Sequence, residues 1–238
     1  MTRIEAVKDT ALALAKVHRP LLTELREQFE AVRAASPEDR AEGFQATDAR
    51  LRRAFRWLER ALTYLNGIKP PIAHRFDLGY GFAFESPRFA HGSVWPHERR
   101  INGYPVIDEI GVYYEISASK SLSIEVAPGW MPFAQKTLDA FGLQYTCRRE
   151  TAPKESHGNA VYSVAPVIPA KIALRADYRT NRLSVTLINV DRLERVSLEF
   201  ESTAFDEPAL EDLVRIMLGR DSAFLKRARL SVIPVTRQ

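Results

Sequence analysis

The stretch KIALRADYRTNRLSVTLINVDRLERVSLEFES, residues 171–202, determines the fold class of this chain. Apolar and polar residues alternate within KIALRADY, RLSVTLINV and RVSLEFES, as they do in strands that bury one face. The linkers between them are short, and RTN at 179–181 is typical of a hairpin turn. We therefore predict an antiparallel meander over residues 170–202.

Similar strand-like segments occur upstream of the meander. They are short, rich in β-branched or aromatic residues and bounded by turn residues. They read RFDLGYGFAFE (75–85), GVYYEISA (111–118), SLSIEVA (121–127), LQYTCRR (143–149) and AVYSVAP (160–166). Two helices are predicted among the strands, MPFAQKTLDAFG (131–142) and DEPALEDLVRIMLG (206–219), the second with Asp206 as its N-cap. We also predict a last edge strand in LSVIPV, residues 230–235.

The first third of the chain has a helical pattern instead. A seam with spacings of three and four residues, typical of a coiled-coil-like helix, is interrupted by a histidine and a glutamine. Its members are Ile4, Val7, Ala11, Leu14, His18, Leu21, Leu25, Gln28 and Val32. Pro20 is expected to kink this helix or to begin a new one.

A second helix is expected to follow the break at residues 34–43. Ser36 is the expected N-cap and Pro37 the first helical residue, and the helix should run to about Leu65, before NGIKPP. Two antiparallel helices with a short connection form a helical hairpin. The prediction is an α+β chain with a helical hairpin over residues 1–69 and a mainly antiparallel sheet domain with two helices over residues 70–238.

Composition limits the class of protein. The chain has 238 residues, of which 45% are hydrophobic and 27% charged, a balance typical of globular proteins. The N-terminal apolar pattern contains acids and lacks a small-residue cleavage site, so we expect no signal peptide, a cytoplasmic location and no membrane association. Cys147, the only cysteine, excludes an internal disulfide and a cysteine-based zinc site.

The positive charge is concentrated at the C-terminal end. The net charge is +4, and residues 219–238 hold five basic residues and one acid, so this segment accounts for the whole net charge. A nucleic-acid site must therefore depend on local patches rather than on bulk charge. Within this segment Lys226, Arg227 and Arg229 are the candidate phosphate contacts.

The segment RFAHGSVWPHERRINGYP, residues 88–105, is the strongest candidate for a functional loop. We interpret it as a connection whose Trp95 packs into the core. The alternative is a metal or catalytic loop in which His91 and His97 act with Asp108. The spacing of the two histidines matches no recurrent metal motif, and a G-x-S-x-G elbow, a Walker-type phosphate loop and a dinucleotide fingerprint are all absent from the sequence. We therefore assign no metal, cofactor or catalytic residue.

One face of the second predicted helix is rich in arginine. Residues Arg52, Arg53, Arg56 and Arg60 fall within an arc of about 100° opposite the apolar stripe, and Trp57 and Tyr64 flank them. Arginine beside aromatic residues is typical of protein interfaces, and it also binds phosphates and stacks on bases. A solvated helix face is the third interpretation.

Three functions remain open at this point. The first is a non-catalytic interaction protein, a subunit or adaptor of a bacterial assembly that binds a partner or a second copy through the hairpin. The second is nucleic-acid binding through the arginine face and the basic tail. The third is a metal-dependent hydrolase centred on His91 and His97. The heptad seam with its polar interruptions favours the first.

Overall fold

Mixed helices and antiparallel sheets make this an α+β chain, as predicted. A computed structural model describes residues 37–79, 81–149 and 158–228, with side chains from residue 44 onward. The chain divides into two units, residues 1–43 and 44–238, and the strands that the structure describes belong to the second. Three of the predictions lie outside the described residues: the helical seam over residues 4–32, the candidate phosphate contact Arg229, and the last edge strand over residues 230–235. The predicted division at residues 69/70 stays a prediction, because it depends on the helix predicted for the N-terminal residues, which lie outside the described part of the chain.

Four α-helices and ten strands follow one another in the described residues. A single 3₁₀ turn precedes α2, at Pro128–Trp130, and another precedes α3, at Ser202–Ala204. The elements are α1 (Pro37–Ile68), β1 (Asp77–Gly79), β2 (Phe82–Ala83), β3 (Arg88–Ile101), β4 (Tyr104–Ser117), β5 (Leu122–Val126), α2 (Met131–Ala140), β6 (Tyr145–Arg149), β7 (Ala160–Val164), β8 (Val167–Asp177), β9 (Arg182–Ile188), β10 (Arg195–Glu201), α3 (Glu207–Met217) and α4 (Phe224–Arg227).

The main sheet has five antiparallel strands in the order β10-β9-β8-β4-β3. The predicted meander forms three of them, and its alternation places Ile172, Leu174, Val185 and Leu187 in the core. Residues at the intervening positions, such as Arg175 and Ser184, lie on the solvent side of the sheet. The sheet therefore buries one face and leaves the other exposed.

Helix α1 shares a core with this sheet. Its buried stripe, spaced three and four residues apart, consists of Leu51, Ala54, Leu58, Leu62 and Leu65. The close approach is visible at Gly92 of β3, where an added Cβ would lie 2.8 Å from the Phe89 ring and 3.1 Å from the Leu62 side chain. Only glycine fits between helix and strand at this point.

A polar contact fixes the same junction. The Asn66 side-chain amide donates to the Gly92 carbonyl oxygen at 2.9 Å, and the Gly92 N–H donates to Asn66 Oδ1 at 2.8 Å. The last turn of α1 thereby satisfies backbone groups of an edge strand.

The interpretation of residues 88–105 as a connecting loop is wrong. Residues 88–101 form β3, which pairs with β4 over its full length. The turn between the strands is Asn102-Gly103, both with positive φ (51° and 85°), which suits the two-residue hairpin turn that these residue types favour. Pro96 is tolerated in β3 because the strand lies at the edge of the sheet and needs hydrogen bonds on one side only.

A second, smaller sheet has three antiparallel strands in the order β5-β7-β6. Helix α2 precedes β6, as predicted, and contributes the buried Leu138 to the core. Asn189, the residue after β9, donates from its amide to the carbonyl oxygens of Phe141 and Pro169 at 2.9 and 2.8 Å. It thereby connects the end of α2 to the main sheet.

The other two predicted helices that fall within the described residues also form. Helix α1 begins at Pro37, as predicted, and runs to Ile68. Asp206 caps α3 by accepting a hydrogen bond from the Ala209 N–H at 3.0 Å. Leu210, Leu213, Ile216 and Met217 supply the buried face of α3.

Candidate functional site

The exposed side of α1 forms a continuous stripe. Arg56, Arg60, Tyr64 and Ile68 follow one another at intervals of four residues, and Arg53 lies beside them. We call these five residues the α1 outer face. Tyr64 is 67% and Ile68 70% exposed, and the three arginines are also exposed. At 1.5 Å per residue the stripe is about 22 Å long.

The three arginines of this face have no ion-pair or hydrogen-bond partner among the described residues. Arg56 and Arg60 are four residues apart, a spacing at which like charges destabilise a helix by a few tenths of a kcal/mol. Most charged side chains elsewhere on the described surface form pairs, for example Arg99 with Asp108 at 2.6 Å. The α1 outer face is therefore a positive strip that no carboxylate of the described residues neutralises.

Arg52 has a structural contact instead. Its guanidinium donates to Asp48 at 2.8 Å, to Glu98 at 3.1 Å and to the Pro105 carbonyl oxygen at 3.1 Å. The hydrogen bond to Asp48 raises the pKa of Arg52 above its ordinary value. Asp48 also accepts the Ile107 N–H at 2.8 Å. The pair thus fastens α1 to the β3–β4 hairpin.

Two other predicted binding residues are engaged within the fold. The half-buried Trp57 indole N–H donates to Glu207, in the first turn of α3, at 3.1 Å. Arg227 donates to Asp212 at 2.9 Å and lies 3.8 Å from Asp206. The Lys226 side chain is exposed and has no ion-pair or hydrogen-bond partner among the described residues. The structure therefore brings together Arg53, Arg56, Arg60 and Tyr64, and places the basic residues of α4 elsewhere.

The histidines of the 88–105 segment are held apart. His91 pairs in register with Glu115, and His97 with Glu109. Six residues of extended strand separate the two rings by about 20 Å, too far for one metal ion. Asp108 is paired with Arg99. In the described part of the chain, no three His, Cys, Asp or Glu side chains are grouped so that they could hold a metal.

Trp95, expected in the core, is 53% exposed on the solvent side of the main sheet. Its ring lies 5.6 Å from that of Tyr113, and the Lys171 ammonium lies 4.9 Å from the Tyr113 ring centroid on the neighbouring strand. The alternation of β3 places position 95 opposite the core-facing Val94, so the strand assignment alone would have predicted this exposure.

A pocket that the sequence did not indicate lies beside the small sheet. It has a volume of about 450 Å³ and lies between the β1–β2 hairpin, β5 and α2. Its walls are mostly apolar, with Trp130 and Phe133 exposed at 60% and 55%. No sequence motif marks it, because its walls come from three segments that meet only in the folded chain.

Comparison of the chain with protein-family models, curated proteins and solved structures found no match. None of the helices that the structure describes has the length and apolarity needed to cross a membrane.

Proposed function

We propose that this chain is a non-catalytic interaction protein, a subunit or adaptor of a bacterial cytoplasmic assembly. It binds an acidic protein surface through the α1 outer face, which belongs to the helical hairpin predicted for residues 1–69. The observation that carries the proposal is a set of three exposed arginines, without a partner among the described residues, beside exposed Tyr64 and Ile68.

The residue types favour a protein partner. Arginine and tyrosine are enriched at protein interfaces and supply a large share of their binding energy, particularly near the centre of the contact. An exposed isoleucine at the end of the stripe adds apolar area that a partner can bury. Acidic side chains on the partner would neutralise the arginines and exclude partners of the wrong charge.

The same structure offers less support for nucleic-acid binding. Arg52 and Arg227, two of the predicted phosphate contacts, already donate to carboxylates of the chain. The basic strip that remains consists of three residues, and few phosphate contacts give weak affinity at physiological salt. Nucleic-acid binding is therefore one outcome of the test below.

The test compares two charge-reversal variants that change net charge equally. One carries Arg53→Glu, Arg56→Glu and Arg60→Glu; the control carries Arg148→Glu, Arg195→Glu and Arg220→Glu, which are exposed arginines elsewhere. The wild type and both variants are used to capture binding proteins from a lysate of the native host, with and without nuclease. The captured protein is then purified and titrated against each of the three. We expect the wild type and the control to bind it equally and the outer-face variant to bind at least about tenfold more weakly, a loss of about 1.4 kcal/mol.

Two results would overturn the proposal. One is equal binding by both variants, which would remove the α1 outer face from the interaction. The other is loss of capture after nuclease treatment together with salt-sensitive binding of a thymidine oligonucleotide by the wild type, which would assign the face to nucleic acid.

A further inference from the structure

The pocket beside the small sheet is the second unassigned feature of the molecule. Leu78, Gly79 and Phe82 of the β1–β2 hairpin form one wall, and β5, an edge strand of its sheet, forms another. Helix α2 closes the third side with Phe133, Ala134, Thr137 and Leu138. The volume of about 450 Å³ is in the range of sites for small organic ligands.

The lining has little polar capacity to offer a ligand. The Thr137 hydroxyl donates to the Phe133 carbonyl oxygen at 2.9 Å, and the Tyr162 hydroxyl points to the Met131 carbonyl oxygen at 3.5 Å. Glu125 accepts the Asn159 amide at 2.7 Å. The remaining walls are aliphatic or aromatic, so burial of apolar surface supplies the binding energy.

The charge of the lining limits the ligand further. Among the described residues that line the pocket none is basic, and Glu125 is the carboxylate among them. An anionic head group such as a fatty-acid carboxylate would lose its hydration here without gaining a cationic partner. The lining therefore disfavours an anionic ligand, and because its carboxylate is already engaged by the Asn159 amide, an uncharged ligand fits it best.

The mouth of the pocket carries two exposed aromatic rings. Trp130 and Phe133 pack edge to face with centroids 6.1 Å apart, although more than half of each side chain is exposed. Large exposed aromatic groups beside an apolar pocket are typical of binding sites. Gly79, which lines the pocket, has φ of 90°, a backbone conformation that glycine adopts without strain.

We propose that this pocket binds a neutral, apolar small molecule, aromatic or acyl in character. A cavity of about 150 Å³ holds one benzene ring, so the volume here corresponds to roughly 12–18 carbon atoms. The site is distinct from the α1 outer face, and either proposal can fail without the other.

The experiment uses N-phenylnaphthylamine, a neutral aromatic probe whose fluorescence rises in apolar surroundings, and the full chain. We expect saturable binding with a Kd on the order of micromolar, competition by dodecanol and much weaker competition by dodecanoate. Ala134→Trp, which fills the pocket, should weaken binding at least about tenfold. The matched control is Ala140→Trp, at an exposed position of the same helix outside the pocket, and it should bind as the wild type does.

A second pair of variants keeps the test decisive if Ala134→Trp does not fold. Phe133→Ala removes an exposed ring from the mouth and should weaken binding severalfold, whereas Tyr104→Ala removes an equally exposed ring remote in the sequence from the pocket walls and should not. Absence of saturable binding would overturn the proposal. So would equal affinity of each variant and its control, or stronger competition by dodecanoate than by dodecanol.

Discussion

Helices α1 and α2 each lie beside an antiparallel sheet, but they fill the space beneath them differently. Helix α1 presents five buried apolar residues to the main sheet, and its approach is so close that β3 carries Gly92 at the contact. Helix α2 buries Leu138 alone and borders a pocket of about 450 Å³. Helix α1 is thus closely packed on its sheet, whereas α2 leaves a pocket beside its sheet.

The difference follows from side-chain size and spacing. Four of the five residues of the α1 stripe are leucine, so most turns of that helix place a large side chain on the sheet. The corresponding side of α2 carries Ala134 and Thr137, while its aromatic residue Phe133 points to the mouth. Because close packing is the normal state of a protein interior, a space of this size beside α2 suggests that it is kept for binding rather than for stability.

The largest expected effect is a loss of core packing under α1. Leu58→Ala, at a position 1% exposed, should lower the free energy of unfolding by about 3 kcal/mol, within the usual range of about 2–5. Leu138→Ala in α2 should cost about 2 kcal/mol or less, because one side of Leu138 already faces the pocket and makes fewer contacts. Urea unfolding of both variants measures the difference, and equal losses would contradict the contrast between the helices.

An intermediate effect comes from the same substitution on both helices. Ala54→Leu, at a position 2% exposed, should destabilise the chain by about 1–3 kcal/mol because three extra carbon atoms must enter a packed contact. Ala134→Leu should instead stabilise it by about 0.5–2 kcal/mol by filling part of the pocket. Thermal unfolding measures whether each variant is more or less stable than the wild type. Destabilisation by Ala134→Leu would show that the space beside α2 does not accept a larger side chain.

The smallest expected effect concerns the polar contact at the end of α1. Asn66→Ala removes two hydrogen bonds to Gly92 and should cost about 1–2 kcal/mol, less than Leu58→Ala. Thr63→Ala is the control, since the exposed Thr63 hydroxyl donates only to the Glu59 carbonyl oxygen of its own helix, and it should change stability by less than about 0.5 kcal/mol. A loss at Asn66 as large as that at Leu58 would mean that polar contacts, not the leucine stripe, hold α1 in place.

Periodicity predicted most of the described fold. Alternation in 171–202 identified the meander, and Asp206 and Pro37 marked helix starts that the structure confirms. The strand over 88–101 was missed because Gly92, Pro96 and a charged run disrupt its apolar alternation, although Asn102-Gly103 was an available hairpin signal. Sequence spacing could place arginines on one side of α1. Only the folded chain distinguishes Arg52, engaged with Asp48, from Arg53, Arg56 and Arg60, which have no partner among the described residues.

Pro96 also limits pairing between the edge strands of two copies of this chain. Strand β3 is long and lies at the border of the five-stranded sheet, a position from which amyloid-like or runaway sheet growth often starts. Three features interrupt the row of backbone groups that an incoming strand would need. Pro96 has no amide proton, β3 has two register irregularities, and the Asn66 side chain occupies the backbone groups of Gly92. We therefore expect Pro96→Val to increase self-association of the chain through this edge.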